Sequence, residues 1–191
     1  MTTFKPKLEL KDFVQGALNR NVIIDWSEAI SIDDFEENEL SNEEDEIVDQ
    51  CNVIYIFTGN DKEGGDAVDI GQTKRSLEVR TKEHLRVGDY LEGYSYNQEV
   101  YCGKVKAEVH VDRDLLEQVE GIIIRTLEEK TIGTSTNVCN YLKKKTHSSK
   151  YNIGHIRNEN VPEKLTDFLP TYIPDKDGTK YNLHNPKYSN I

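Results

Sequence analysis

An arginine and a histidine stand four residues apart in a stretch that favours a helix. This stretch, 74–86, contains good helix formers and neither Gly nor Pro. We therefore expect Arg80 and His84 to project from one helical face, where they can grip a phosphate and stabilise negative charge that develops on it. The alternative is a solvated helix face on which Glu78 and Glu83 are charge partners.

A tyrosine and a glutamate supply the remaining groups. Tyr55 lies in the middle of 52–59, a continuous apolar, β-branched and aromatic run typical of a buried strand. Glu120 lies midway along 114–127, where apolar residues at three- and four-residue spacing predict a helix packed on a sheet. One carboxylate can hold a single Mg²⁺ or Mn²⁺ ion, and a Tyr beside that ion can deprotonate water. Together the four residues are parts for metal-assisted phosphodiester hydrolysis.

These residues also have a purely structural interpretation. Alone, Tyr55 is typical of a core aromatic whose hydroxyl lies at the rim. Glu117 competes with Glu120 for the metal, but Asp114 and Glu117 form a D-x-x-E pattern that resembles a capping box at the helix start. Because that pattern gives Glu117 a structural role, Glu120 is the preferred ligand.

The elements that position these residues form a small α/β domain. The expected strands are 52–59, 67–73, about 99–111 and 151–157. The first two are joined by a turn-forming loop and predict an antiparallel hairpin. Thr73 or Ser76 can cap helix 74–86, and Pro162 is expected to open a further helix. The order of elements predicts an antiparallel or mixed sheet.

The acidity of the chain is concentrated at its N-terminal end. The 191 residues carry 24 Lys and Arg against 35 Asp and Glu, a formal net charge of −11. Residues 1–50 hold 14 acids and 4 bases, so the rest, with 21 acids and 20 bases, is nearly neutral. The net charge therefore does not exclude a DNA substrate. The acidic segment is either a solvated spacer or an arm that covers a basic cleft or docks on a protein partner.

Composition and cysteine usage bound the class of protein and its compartment. No stretch approaches the roughly 20 apolar residues of a membrane helix, and no charged-then-apolar leader follows Met1. We therefore expect neither a membrane protein nor a secreted one. Cys51, Cys102 and Cys139 contain no CxxC pair. This argues against a disulfide framework and a thiolate zinc site, and it favours a cytoplasmic location.

The order and spacing of these motifs resemble the GIY-YIG nuclease superfamily. The family's Gly-Ile-Tyr motif corresponds here to Val53-Ile54-Tyr55. Its Tyr-Ile-Gly motif corresponds to Asp69-Ile70-Gly71, which continues as Gln72-Thr73. The family's helix arginine matches Arg80, and the His or Tyr four residues later matches His84.

Two later positions complete the resemblance. Glu120, in EGIIIRTL, matches the family's metal-binding Glu, and Asn140 best matches its late Asn, with Asn137 a close competitor. The match covers about residues 52–145. It implies an α/β fold of the α+β type, a small GIY-YIG-like domain with a three-stranded, mainly antiparallel sheet flanked by helices. The expected domains are an acidic N-terminal extension at 1–50, the nuclease domain at 51–145 and a C-terminal extension at 146–191.

The resemblance implies an endonuclease that cuts double-stranded DNA with one Mg²⁺ or Mn²⁺ ion. Tyr55 would activate water as general base, and Glu120 would hold the ion against the scissile phosphate. Arg80 and His84 would stabilise the pentacovalent state, and Asn140 would brace the site. Restriction, mobile-element and repair nucleases could all use such a module.

Contacts to nucleic acid are expected from two short segments. They are Gly71, Gln72 and Thr73 after the second strand, and Lys143, Lys144 and Lys145 after the matched Asn. The alternative for the lysines is an ordinary solvated run.

Two residues depart from the family's pattern. Val53 in place of Gly is a mild change because Tyr55 is kept. Asp69 replaces the Tyr of the second motif, which in the family is thought to relay protons or position water. A carboxylate there can act as a base or a second metal ligand, or Lys74 can approach the site instead. Alternatively, the chain is a catalytically impaired module that binds DNA or a protein partner.

Overall fold

The computed structural model describes residues 20–37, 40–61, 65–86, 94–134, 136–138, 151, 153–167 and 169–174. Within them the strands are β1 (Arg20–Trp26), β2 (Ile30–Ser31), β3 (Val53–Asp61), β4 (Asp66–Thr73), β5 (Tyr94–Ala107), β6 (Asn137–Val138), β7 (Ile153–Glu159) and β8 (Tyr172–Pro174). The helices are α1 (Ile32–Glu37), α2 (Asn42–Val48), α3 (Leu77–Arg86) and α4 (Arg113–Thr131), with a 3₁₀ turn at Glu163–Leu165. The mixed α/β character expected from the sequence is confirmed.

All eight described strands join one sheet. Its order is β6-β4-β3-β5-β1-β7-β8, and β2 pairs with β5. The β3–β4 hairpin is antiparallel, as predicted, and so is the β3–β5 pair, whereas β1 runs parallel to β7 and β4 runs parallel to β6. The expectation of a three-stranded sheet is wrong. Strands β3, β4 and β5 are adjacent within it, and segments from both ends of the chain extend it.

Strand β1 extends the sheet because one of its faces is wholly apolar. Val22, Ile24 and Trp26 are buried in the same core as Ile156 of β7. The strand pairs antiparallel with β5, from Val22 opposite Ala107 to Trp26 opposite Gly103. Without β1, this part of β5 would present a row of unpaired backbone groups at an edge. Residues assigned to the N-terminal extension therefore include a strand inside the sheet.

The sheet separates two apolar clusters. Ile54 and Ile56 of β3 face a core shared with α4. The alternating residues Tyr55 and Phe57 belong to the second cluster, together with Leu77 of α3. Because successive strand residues point to opposite faces, this alternation places Tyr55 on the side of the sheet that α3 covers.

Helix α3 begins three residues later than the sequence pattern suggested. The Ser76 hydroxyl accepts a hydrogen bond from the Val79 N–H (3.3 Å), so Ser76 is the N-cap. The Thr73 hydroxyl instead accepts from the Arg75 N–H (3.0 Å) and shapes the turn between β4 and α3. The start of α3 is thus fixed relative to the end of β4.

Helix α4 is present where the apolar pattern predicts a helix, but its N-cap is not the predicted Asp114. Asp112 is the N-cap and accepts a hydrogen bond from the Leu115 N–H (3.0 Å). Glu117 bonds to the Arg113 side chain (2.7 Å). The capping box expected from Asp114 and Glu117 is therefore wrong, because the helix starts earlier than the sequence pattern indicated.

The C-terminal part of the described chain adds two strands and little helix. The predicted strand at 151–157 is confirmed as β7, whereas the helix expected to open at Pro162 is only the 3₁₀ turn. Asn158 of β7 is 1% exposed and accepts a hydrogen bond from the Trp26 indole (3.0 Å). Across the described ranges, every helix is too short or too polar to cross a membrane.

Candidate active site

The ring of Tyr55 lies across the backbone of Gly71. The two residues are direct partners in the β3–β4 ladder. A Cβ atom added to Gly71 would lie 2.1 Å from both the Tyr55 Cζ and its hydroxyl oxygen. Only a residue without a side chain leaves room for the phenol here. The Gly of the second motif thus determines where the hydroxyl of the first motif lies.

Helix α3 brings two side chains to that hydroxyl. The Arg80 Nε–H donates a hydrogen bond to the Tyr55 oxygen over 3.0 Å. The His84 Nε2 lies 3.0 Å from the same oxygen. As expected from their four-residue spacing, Arg80 and His84 project from one face of the helix, and they meet at a single atom.

Ring packing holds the Tyr55 and His84 side chains in place. Phe57, two residues along β3, packs edge-on against Tyr55 with the ring centroids 5.3 Å apart. The Phe57 and His84 rings are 5.4 Å apart, and the Tyr55 and His84 rings are 5.8 Å apart. Edge-to-face contacts at these separations are favourable. Three rings therefore brace the Tyr55–His84 hydrogen bond.

The surroundings of Tyr55 hold its proton on the phenol. Its side chain is 1% exposed, and this burial raises its pKa far above the ordinary value of 10. The Arg80 guanidinium acts in the opposite direction, while the charges of Asp69 and Glu120 raise the pKa further. A reaction that needs the phenolate therefore needs an acceptor for the phenol proton. His84 Nε2 is placed to accept it when the imidazole proton resides on Nδ1.

Two buried carboxylates act on this hydroxyl from different elements. Asp69 is 5% exposed and pairs with Phe57 in the β3–β4 ladder, which puts it diagonally across from Tyr55 on the same face. Glu120 is 6% exposed and lies on α4. Since both charges affect the Tyr55 pKa, Asp69, at the position that the resemblance assigns to a Tyr, belongs to the electrostatic environment of the site.

The two buried carboxylates have the ligand chemistry of an oxygen-preferring cation. Within the described part of the chain, no three His, Cys, Asp or Glu side chains converge to hold a metal ion by themselves. Glu120 and Asp69 supply hard carboxylate oxygens, which Mg²⁺ and Mn²⁺ prefer. Such ions commonly keep several water ligands and take others from a substrate phosphate. A cation held by Glu120 would be of this open kind.

A second arginine, for which the sequence pattern gives no signal, completes the polar cluster. Arg75 donates two hydrogen bonds to the Glu83 carboxylate (2.5 and 2.6 Å), and Arg80 Nη1 donates a third (3.3 Å). The Arg80–Glu83 contact of the alternative interpretation is thus present, while Glu78 bonds to Lys82 (2.6 Å). Arg75 precedes the helix, so helical spacing gives no signal for its contact with Glu83.

Some of the remaining predicted site residues lie within the described part of the chain, and the others lie outside it. In β4, Gln72 is half-buried, and Thr73 is buried with its hydroxyl bonded to the Arg75 N–H in the turn. Lys74, the first residue after β4, is exposed. Asn137 lies in β6, paired with Ala67. The positions that fall outside the described residues are Asn140, Lys143, Lys144 and Lys145.

Comparisons with known proteins add no relative to this geometry. No protein-family model, curated protein or solved structure matches the chain significantly.

Proposed function

We propose that the chain is a metal-dependent endonuclease of the GIY-YIG superfamily, which hydrolyses phosphodiester bonds of double-stranded DNA with Tyr55 as general base. The observation that carries this proposal is the placement of the Tyr55 hydroxyl over Gly71, between Arg80 Nε and His84 Nε2 at 3.0 Å each. These four residues come from three separate motifs of the sequence and meet at one oxygen atom.

The proton path follows from the hydrogen bonds at Tyr55. The phenol oxygen accepts from Arg80, so its own proton is free to point towards His84. As Tyr55 takes a proton from the attacking water, it passes its own proton to His84 Nε2. The water oxygen bonds to phosphorus, one P–O ester bond breaks, and the leaving oxygen takes a proton from solvent water, to which His84 later returns its own. His84 keeps Tyr55 from having to exist as a buried phenolate, which its surroundings disfavour.

Charge in the site favours this path once a substrate and a cation are present. Arg80 is 28% exposed at its side chain, so it can face both the phenol and a phosphate. A divalent cation held by Glu120 would supply positive charge at the scissile phosphate and offset the carboxylates that raise the Tyr55 pKa. Asp69 would serve as a second ligand or would orient the attacking water.

Cleavage of plasmid DNA tests the proposal. Supercoiled, mixed-sequence plasmid is incubated with the protein and Mg²⁺ or Mn²⁺, and nicked and linear products are measured. We expect the parent to cut and Glu120→Gln to lose nearly all activity, because it removes the charge that holds the ion. Glu117→Gln, one helical turn away and bonded to Arg113, is the matched control and should keep it. Equal activity in the parent and Glu120→Gln would contradict the assignment.

A catalytically impaired binding module is the second candidate. The observation that favours it is the buried Asp69, which adds negative charge where the family has a tyrosine and raises the Tyr55 pKa. In this case the acidic segment would regulate binding to DNA or to a protein partner. Its helix α2 exposes Glu43 and Glu46. A parent that binds duplex DNA without cutting it, and binds more tightly as Glu43→Gln/Glu46→Gln, would establish this candidate.

A further inference from the structure

One carboxylate is shared by two arginines at the edge of the site. Arg75 Nη1 and Nη2 each donate to a different oxygen of Glu83 (2.5 and 2.6 Å), and Arg80 Nη1 donates to one of the same oxygens (3.3 Å). The Nε of the same Arg80 guanidinium holds the Tyr55 hydroxyl. An anion bound between the two arginines would therefore contact the same Arg80 guanidinium that bonds to Tyr55, the proposed general base.

The chemistry of this arrangement suits a phosphate as well as a carboxylate. A guanidinium fork binds two oxygens of either group in the same planar, bidentate manner. The Arg75 and Glu83 side chains are 57% and 39% exposed, so a ligand can reach them. Exposed ion pairs contribute little to stability. Replacing the Glu83 carboxylate by another anion at Arg75 therefore costs little free energy.

The backbone that carries Arg75 is fixed, although its side chain is exposed. The Thr73 hydroxyl accepts from the Arg75 N–H (3.0 Å) and donates to the Arg75 carbonyl (3.3 Å). Thr73 itself is buried at the end of β4, two residues beyond Gly71. The Arg75 side chain thus leaves the fold at a set position beside the Tyr55 site.

We propose that Arg75 binds a phosphate of the DNA backbone, and that Glu83 occupies this phosphate position in the free protein. When DNA binds, the phosphate displaces the Glu83 carboxylate from Arg75 and bridges Arg75 and Arg80. The inference rests on the proposed function, since it assumes a nucleic-acid ligand at the Tyr55 site. It assigns Arg75 as a binding residue and Glu83 as the group that positions Arg80 and competes with the substrate.

The two substitutions have opposite expected effects on binding. Arg75→Gln removes one phosphate contact, so binding weakens for all DNA sequences and the slope of log affinity against log salt falls by about 0.9. Glu83→Gln removes the competing charge, so binding tightens. It also removes a charged partner of Arg80, so cleavage by this variant slows even though it holds DNA more firmly.

Binding is measured by fluorescence anisotropy of a labelled, mixed-sequence duplex in EDTA at several salt concentrations, so the result does not depend on cleavage. The matched controls are Arg157→Gln and Glu159→Gln, a bonded pair on β7 with similar exposure, 53% and 37%. Both controls should bind as the parent does. Arg75→Lys keeps the charge and should retain the salt slope.

Three results overturn the inference, and they differ from one another. An unchanged salt slope in Arg75→Gln excludes a phosphate contact at Arg75. Weaker binding by Glu83→Gln shows that the carboxylate supports DNA binding and does not compete with it. A parent protein that fails to bind the duplex at low salt contradicts the proposed function itself, and the inference falls with it.

Discussion

The hydroxyl oxygen of Tyr55 lies only 2.1 Å from the position that a Cβ atom of residue 71 would occupy. Tyr55 and Gly71 are direct partners in the β3–β4 ladder, so any side chain at residue 71 would force the Tyr55 ring to move. The relationship explains why a Tyr in the first strand and a Gly in the second occur together in this sequence. It also makes the position of the phenol sensitive to a single methyl group.

Gly71→Ala tests this packing directly. We expect the added methyl group to push the Tyr55 ring off Arg80 and His84 and to reduce the free energy of unfolding by about 1–3 kcal/mol, as is typical of an overpacked core. Urea unfolding and plasmid cleavage measure the two effects. Gly121→Ala is the control, because a Cβ at this position of α4 meets no atom within 4 Å. It should stabilise the helix by about 0.5–1 kcal/mol, and a parent-like Gly71→Ala would show that the ring position is not constrained.

Tyr55→Phe separates the chemistry of the phenol from its packing. The ring and its contact with Phe57 remain, but the oxygen that joins Arg80 to His84 is lost. We expect cleavage to fall by about 10²- to 10⁴-fold, the usual contribution of a general base, with DNA binding preserved. Initial rates of plasmid nicking measure the fall.

The control for this variant is Tyr101→Phe, since the Tyr101 hydroxyl bonds to Glu99 (2.6 Å) and its ring belongs to the core on the opposite face of the sheet. This variant should cut as fast as the parent. A Tyr55→Phe protein with a parent-like rate would rule out Tyr55 as the base and leave His84 as the group to test next.

Asp25 gives the fold a pH dependence that can be measured apart from activity. Hydrogen bonds from Lys106 (2.6 Å) and Asn160 (2.8 Å), in that order of importance, hold the pKa of Asp25 below its ordinary value of 3.8. Because the pKa is lowered in the folded state, the ionised carboxylate stabilises the protein at pH values above its ordinary pKa. This stabilisation is lost as the pH falls through the lowered pKa. The side chain is 30% exposed, so we expect no more than about 1 kcal/mol.

Urea unfolding of the parent and Asp25→Asn at a series of pH values measures this contribution. The parent should be the more stable protein at pH 7, and the difference should shrink in acid. Asp33→Asn, an exposed position of α1, is the control for the loss of one negative charge. A difference between the parent and Asp25→Asn that stays constant in acid would show that the hydrogen bonds do not act through ionisation of Asp25.

Local patterns predicted the part of the fold that depends on neighbours in the sequence. The β3–β4 hairpin follows from two strand-like runs joined by a turn-forming loop, and helix α4 and the meeting of Arg80 with His84 follow from spacings of three to four residues. The Ser76 cap was one of two alternatives, and hydrogen bonding decided between them. The chemistry of the candidate site is concentrated in these local elements.

Long-range pairing is what the sequence pattern missed. Strand β1 lies between β5 and β7, and its partners are about 80 and 130 residues away in the chain, so no local pattern names them. The Trp26–Asn158 hydrogen bond joins β1 to β7 and is equally non-local. The Arg75–Glu83 pair was missed for another reason, because it connects a turn to a helix.

The position of β1 has a consequence for how the molecule is made. During synthesis, Val22, Ile24 and Trp26 emerge early, yet the strand on their far side ends only at Glu159. The apolar face of β1 therefore stays incompletely covered while most of the chain is translated, and the hairpin that carries Tyr55 can form long before the sheet closes. Folding should end with the pairing of β1 with β7. Until that late step, the exposed apolar face of β1 makes the chain prone to aggregation.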